Sequence, residues 1–223
     1  MNIKLFYSAI IKFIFGVLLV ALLVFLPAGT LNFLNGWIFM NVLFIPMLTA
    51  GIIMMIKNPD LLERRLNAKE KRTEQNLVVK LSGLMFIVGF VIAGLDFRFK
   101  WFQIPKSIVI ISTVIFLVGY ALYAVVLREN TYLSRTIEVQ KNQKVIDTGL
   151  YGIIRHPMYS ATILLFLSMP LVLGSLISFA VFLVYPLLIV LRIKDEEKML
   201  ETELEGYIEY KKKVKYRLIP FIW

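Results

Sequence analysis

The residues able to do chemistry are few, and they gather in the last third of the chain. They are Tyr151, the run Arg155-His156-Pro157-Met158-Tyr159, then Arg192 with the paired Glu196 and Glu197, and finally Tyr207, Tyr210 and Tyr216 in a basic tail. Cysteine is absent and His156 is the single histidine. That removes disulfides, thiolate nucleophiles, zinc–thiolate and iron–sulfur sites, and any metal centre built on several imidazoles. Guanidinium, carboxylate, phenol, backbone and one imidazole remain. Arg192 and Glu196 are spaced i, i+4, so on a helix they share one face. A guanidinium there can grip a carboxylate with two hydrogen bonds, and a carboxylate there can hold an ammonium. Where a proton must be removed from an amine, Glu197 and His156 are the candidate bases.

Each of these residues also has a plainer reading. Arg192 and Glu196 alone would be a helix-surface ion pair worth a few tenths of a kcal/mol. His156 before Pro157 marks a helix start, since proline suits the first helical position. Tyr207, Tyr210 and Tyr216 read as interfacial anchors, and Lys211–Lys213 as attraction to lipid headgroups. Asp96, at the end of an apolar run, reads as solvated.

The elements that must position these groups are apolar helices. Of 223 residues, 59% are apolar, against about 45–50% in a soluble domain, and mean hydropathy is +0.76. Six apolar stretches stand out: Ser8–Pro27, Leu34–Ile56, Val78–Phe97, Ile108–Leu127, Met158–Leu173 and Leu176–Leu191. The first four are each about 20 residues, enough to cross about 30 Å of hydrocarbon. The last two are separated only by Gly174 and Ser175. One uninterrupted helix would overshoot the bilayer, so the spacing predicts a tight helical hairpin, with Pro170 and Pro186 inside its arms. The fold expected is all-α: a polytopic integral membrane protein of about six transmembrane helices, with amphipathic helices in the cytosol. Residues 1–127 form a four-span region with a cytosolic loop at 57–80. Residues 128–223 form a second region of loop, hairpin and tail helix.

Charge orients the chain. With six spans, 22 of the 25 basic residues fall on one side, leaving only Arg98, Lys100 and Lys106 opposite. The positive-inside rule then sets both termini in the cytosol, and a bacterial inner membrane suits the composition. The net charge of +10 therefore reads as lipid attraction and topology, not as a nucleic-acid surface. Phe13–Leu26 is long for a signal-peptide core and no small-x-small site precedes Leu31, so the first span is read as retained. Asn58, Pro59, Asp60 and Glu63 carry the start signals of a short interfacial helix with Leu61, Leu62 and Leu66 as its apolar stripe. The tail from Asp195 reads as another helix, with Leu200, Leu204, Tyr207 and Ile208 at helical spacing.

The order GLYGIIRHPMY, then RIKDEEKML after the hairpin, then GYIEYKKKVKYRLIP, resembles the isoprenylcysteine carboxyl methyltransferase family, in particular its bacterial membrane branch. NPDLLERRL, earlier in the chain, is similar to that branch too. The resemblance covers about 95 C-terminal residues. It implies S-adenosyl-L-methionine as methyl donor and an amphiphilic acceptor that enters from the bilayer. By the same resemblance, His156, Pro157, Met158 and Tyr159 line the donor pocket together with Tyr151. The upstream loop contributes Gln140, Gln143, Lys144, Val145 and Ile146. Glu196 is the donor-binding glutamate and Arg192 the substrate-binding, catalytic arginine, with Glu197 as a second catalytic candidate. The sequence departs from the family pattern at Ala161, where glycine is usual, at Leu204, where phenylalanine is frequent, and at Gln143, where the prenylcysteine enzymes carry histidine. The loop before Gly149 is also shortened.

Methyl transfer from a sulfonium needs alignment and exclusion of water more than covalent help, and a carboxylate acceptor needs no base. The function expected is methylation of a lipidic small molecule or lipidated acceptor, most simply at a carboxylate oxygen. N-methylation of a phospholipid amine and an NADPH-dependent sterol-type reductase are the rival enzymes, since such reductases share an RxIP-like tail. A transporter is disfavoured: no inverted repeat shows, and ionisable residues are nearly absent at mid-span.

Overall fold

The computed structural model describes residues 3–67 and 73–223, the side chains of Thr73 and Glu74 excepted. Among the described residues the chain is all helix and turn. The helices are α1 (Ile3–Ala28), α2 (Leu34–Lys57), α3 (Pro59–Leu66), α4 (Thr73–Phe99), α5 (Lys106–Glu129), α6 (Pro157–Val172), α7 (Leu176–Phe182), α8 (Val184–Glu203) and α9 (Tyr207–Lys213), with a 3-10 turn at Gly149–Gly152. The protein is a polytopic integral membrane protein. Among the described residues, five stretches are long and apolar enough to cross a bilayer, counting Leu176–Glu203 as one, while α6 is shorter at 16 residues. Lys69, Lys71 and Arg72 of the charged loop lie outside the described residues.

α6 packs along α5, α1 along α4, and α4 against α7. The contact faces carry rings rather than charges. Phe86 meets Phe166 at 4.8 Å and Phe182 at 5.4 Å, and Phe166 meets Tyr185 at 4.7 Å. Ile11, Phe15, Leu18, Leu22 and Leu26 of α1 stay exposed, as a lipid-facing surface requires.

The expected hairpin is present. Gly174 turns it with φ +86°, and a Cβ there would sit 2.6 Å from Asn35 Nδ2, so both conformation and space call for glycine. Asp96 is not solvated but 2% exposed. It accepts from Ser175 Oγ and from the Phe102 backbone N–H, and Ser175 caps α7 by accepting from Ser178 N–H at 3.1 Å. A carboxylate at the end of a span is here used to hold the turn of the hairpin. The second arm breaks at Leu183, between α7 and α8, three residues before Pro186, whose ring cannot continue the hydrogen-bond ladder.

Two features outside the apolar spans follow from local sequence. Asn58 caps α3 by accepting from Leu61 N–H at 3.1 Å, Pro59 is its first residue, and Leu61 and Leu62 are buried. The tail, expected as one helix from Asp195, is two. α8 runs unbroken out of the hairpin to Glu203, and Gly206 at φ +81° then resets the direction before α9. The buried stripe is Leu200, Leu204, Tyr207 and Tyr210, while Ile208 is exposed.

Candidate functional site

The site forms where α6 begins, α8 leaves the hairpin and the loop 130–148 crosses between them. Pro157 opens α6 and His156 precedes it. The backbone N–H groups of Arg155 and His156 donate to the Tyr216 and Arg217 carbonyls, each at 2.9 Å. Ser160 Oγ donates to the Leu218 carbonyl at 2.7 Å. The RHPMY run and the YRLIP tail are therefore the two sides of one hydrogen-bonded seam, which is why both appear together in the sequence.

Behind the seam lies a buried ion cluster. Glu197 accepts from Arg155 Nε at 2.8 Å and from Arg217 Nε at 2.9 Å, and its Oε1 is 3.2 Å from His156 Nε2. The side chains of Arg155 and Glu197 are 3% and 4% exposed. Arg155 also donates to the carbonyls of Val214 and Lys215, so α6, α8 and the tail are joined at one residue. Buried charges are tolerated where paired and fully hydrogen-bonded, as here.

On the other side of the seam is a cavity. Arg192, Glu196, Tyr159, His156 and Met158 line it, and Tyr151 with Gln143, Lys144, Val145 and Ile146 closes the loop side. Tyr159 links the two helices: its hydroxyl donates to Glu196 Oε2 at 2.5 Å and accepts from Arg192 Nε at 3.0 Å. The i, i+4 pair thus meets through a phenol. Arg192 further donates to Gln75 Oε1 and to the Arg135 carbonyl. Three residues expected at the site do not line the cavity. Glu197 lies in the ion cluster behind it. Pro157 is buried in the first turn of α6. Gln140 shapes the loop, its N–H donating to Gln143 Oε1 and its Nε2 to Glu138 Oε1.

The sequence reading passed over several contributors. Tyr207 and Tyr210, read as interfacial anchors, are buried and line the cavity. Tyr210 donates to the Tyr151 carbonyl at 2.7 Å. Their signal was present, because they continue the stripe of Leu200 and Leu204. Gln75, buried at the start of α4, donates to Asp195 Oδ2 at 2.6 Å. It lies 120 residues from its partner, and no local pattern announces it.

Burial raises the pKa of Tyr207, Tyr210 and Tyr151 well above the usual phenol value, with the carboxylates of Glu197 and Glu196 adding to the effect at Tyr207. All three therefore stay neutral donors at physiological pH. The Tyr207 hydroxyl is buried and has no hydrogen-bond partner among the described residues. An orphaned donor on a cavity wall costs about 1–3 kcal/mol, and a ligand that accepts from it recovers that loss. Tyr207→Phe is expected to leave thermal stability unchanged or slightly raised while weakening the cavity's ligand by roughly tenfold. Calorimetric titration beside a melting curve checks both.

A model of the isoprenylcysteine carboxyl methyltransferase (ICMT) family matches residues 96–202. That segment holds α5, the crossing loop, the RHPMY run, the hairpin, Arg192 and both glutamates. The matched stretch, just under half of the chain, is similar to the ICMT family. The match begins some thirty residues before the stretch that carries the sequence resemblance, and it stops short of the tail tyrosines. The cavity between α6, α8 and the loop, lined largely from this stretch, is the candidate active site. The chain is also 31% identical to the Delta(14)-sterol reductase of Mus musculus over 91 residues. That stretch is 40% of this chain and 22% of the reductase, so the chain spans about a fifth of the length of that relative.

Proposed function

We propose that the protein is an S-adenosyl-L-methionine-dependent methyltransferase that modifies an amphiphilic, lipidic or isoprenylated acceptor, most simply at a carboxylate oxygen. The observation that carries this reading is the convergence of the 143–146 loop, the RHPMY helix start and the Arg192–Tyr159–Glu196 bridge on one cavity. Members of the ICMT family use S-adenosylmethionine. The cavity's chemistry fits that donor: Glu196 offers a carboxylate to an ammonium, the tyrosine faces suit a sulfonium, and the Tyr207 hydroxyl offers an unused hydrogen bond. When bound, the donor supplies a methyl group on positively charged sulfur.

The chain's own residues then have positioning roles. Tyr159 fixes the Glu196 carboxylate on one side and the Arg192 guanidinium on the other, so both are oriented before any ligand arrives. Arg192 faces the acceptor. Tyr151, Met158, Leu200 and Leu204 exclude water from the same space. Carboxylate methylation is favoured over amine methylation because an amine needs a base, and the two candidates, His156 and Glu197, are engaged with each other. Glu197 is on this reading a positioning residue. The site lies on the face read as cytosolic from the basic residues.

A reductase is the second reading, favoured by the 91-residue likeness to the sterol enzyme. Titrating the detergent-purified protein with S-adenosylmethionine and S-adenosylhomocysteine by calorimetry, with NADPH as control, separates the two. Saturable binding of both sulfur ligands and none of NADPH is expected. NADPH binding without them overturns the methyltransferase reading.

A further inference from the structure

The carboxylates at the mouth of the site are occupied and one cation there is not. Glu138 Oε1 accepts from Ser134 Oγ, Thr136 Oγ1 and Gln140 Nε2. Asp195 is held by Gln75, and Glu196 by Tyr159. Between these groups the loop carries Arg135, whose guanidinium makes no hydrogen bond or ion pair among the described residues. Its backbone is clamped by two other arginines: Arg192 Nη2 donates to the Arg135 carbonyl at 2.9 Å, and Arg65 Nη1 donates to the Ser134 carbonyl at 3.0 Å. Arg65 also donates to Met158 Sδ and to the Tyr123 hydroxyl, and its guanidinium lies 5.5 Å from the Tyr123 ring centroid.

Three guanidiniums are thus gathered beside the cavity by backbone contacts, and among the described residues the Arg135 guanidinium is paired with none of the neighbouring carboxylates. Like charges brought together this way repel unless an anion joins them. Arg135 keeps an exposed surface. Even so, the protein packed around it and then the charges of Arg65 and Arg192 lower its hold on its proton. The surroundings are the ends of apolar helices. Arg65 comes from α3, whose buried leucines pack it under the bundle. Tyr123 stands near the end of α5, and Met158 is in the first turn of α6. Arg64, beside Arg65, donates to the Thr131 carbonyl at 2.7 Å and holds the same loop down.

The geometry points to Arg135, flanked by Arg65 and Arg192, as the residue that takes the oxyanion head of a membrane amphiphile, a carboxylate or phosphate carrying no neighbouring ammonium. Arg65 and Arg192 hold the loop that presents it and add their field. That this amphiphile is the methyl acceptor rests on the function proposed above; the anion site itself does not. Ser134 and Thr136, on either side of Arg135, line the cavity, so a head held there stands at the cavity's rim.

The test is equilibrium binding of radiolabelled hexadecyl phosphate to the full chain in neutral detergent, with palmitate, hexadecylphosphocholine and inorganic phosphate as competitors. Hexadecyl phosphate and palmitate are expected to bind and to displace one another. Arg135→Gln is expected to weaken both by roughly tenfold or more, as loss of a charge-assisted hydrogen bond does, with Arg135→Lys intermediate. Because the Arg135 side chain holds nothing else among the described residues, its melting temperature and its S-adenosylmethionine affinity are expected to match wild type. Three results overturn the proposal: Arg135→Gln binding within twofold of wild type, equal competition by hexadecylphosphocholine, or equal competition by inorganic phosphate, which would mean a free-anion site. If the sulfonium donor fails to bind while the lipid selectivity holds, the methyltransferase reading falls and the oxyanion site stands.

Discussion

Glu197→Ala is expected to lower stability by about 3–5 kcal/mol, the cost of leaving a buried charge without its partner. Arg155 is 6% exposed and, among the described residues, ties α6 to α8 through Glu197. Without the carboxylate, its guanidinium keeps two carbonyl acceptors but no counter-charge. Arg217 loses the same partner, though its side chain is 27% exposed and water compensates it in part. For a chain of this size the loss corresponds to roughly 10 °C in thermal midpoint, read by a detergent-based melting assay. Glu197→Gln keeps an acceptor for Arg155 and is expected to fall between wild type and alanine. A Glu197→Ala protein that melts like wild type while losing all activity would contradict the positioning role and return Glu197 to the chemistry.

Its neighbour is expected to do the opposite. Glu196→Ala should weaken S-adenosylmethionine binding by about 100-fold, equivalent to about 2.7 kcal/mol, in the range of a hydrogen bond to a charged group, with little change in melting temperature. Glu196 is only partly buried, and it accepts a hydrogen bond from Tyr159. Removing it frees the Tyr159 hydroxyl, which still accepts from Arg192, so the wall of the cavity persists while its anion is gone. Calorimetry on the variant reads the affinity, and the same melting assay reads the fold. Donor affinity unchanged in Glu196→Ala would remove the carboxylate from the donor site. Two adjacent glutamates thus separate cleanly: one sets stability, the other ligand affinity.

That division was not legible in the sequence, where Glu196 and Glu197 are equivalent acidic residues on a helix. Which one faces the cavity depends on the rotation of α8 against α6. That rotation is fixed by packing between residues some forty positions apart. The membrane architecture was legible, because hydrocarbon thickness imposes length and apolarity on each span. So was the hairpin, since Gly174-Ser175 is the one polar break in that run. The start of α3 was legible from Asn58 and Pro59, whose roles are local. The break at Gly206 was missed because the apolar stripe continues in register across it. Asp96 was misread because a carboxylate at a span's end is indistinguishable in sequence from one that caps a turn brought to it 79 residues later. The loop residues Gln143 to Ile146 were reached through family resemblance, and the cavity they line could not have been found from periodicity, because an irregular segment has none.

The helix α8 leaves the hairpin without a break and carries Arg192 and Glu196 one turn apart, which at 1.5 Å per residue is about 6 Å along its axis. One end of that rod is anchored among the apolar helices and the other in the buried ion cluster, so the interval is a fixed gauge along the helix. On the proposed reading, the two reactants are registered by depth. An acceptor is measured by how far its polar group rides above the hydrocarbon, and the lipid phase itself becomes part of the enzyme's selectivity.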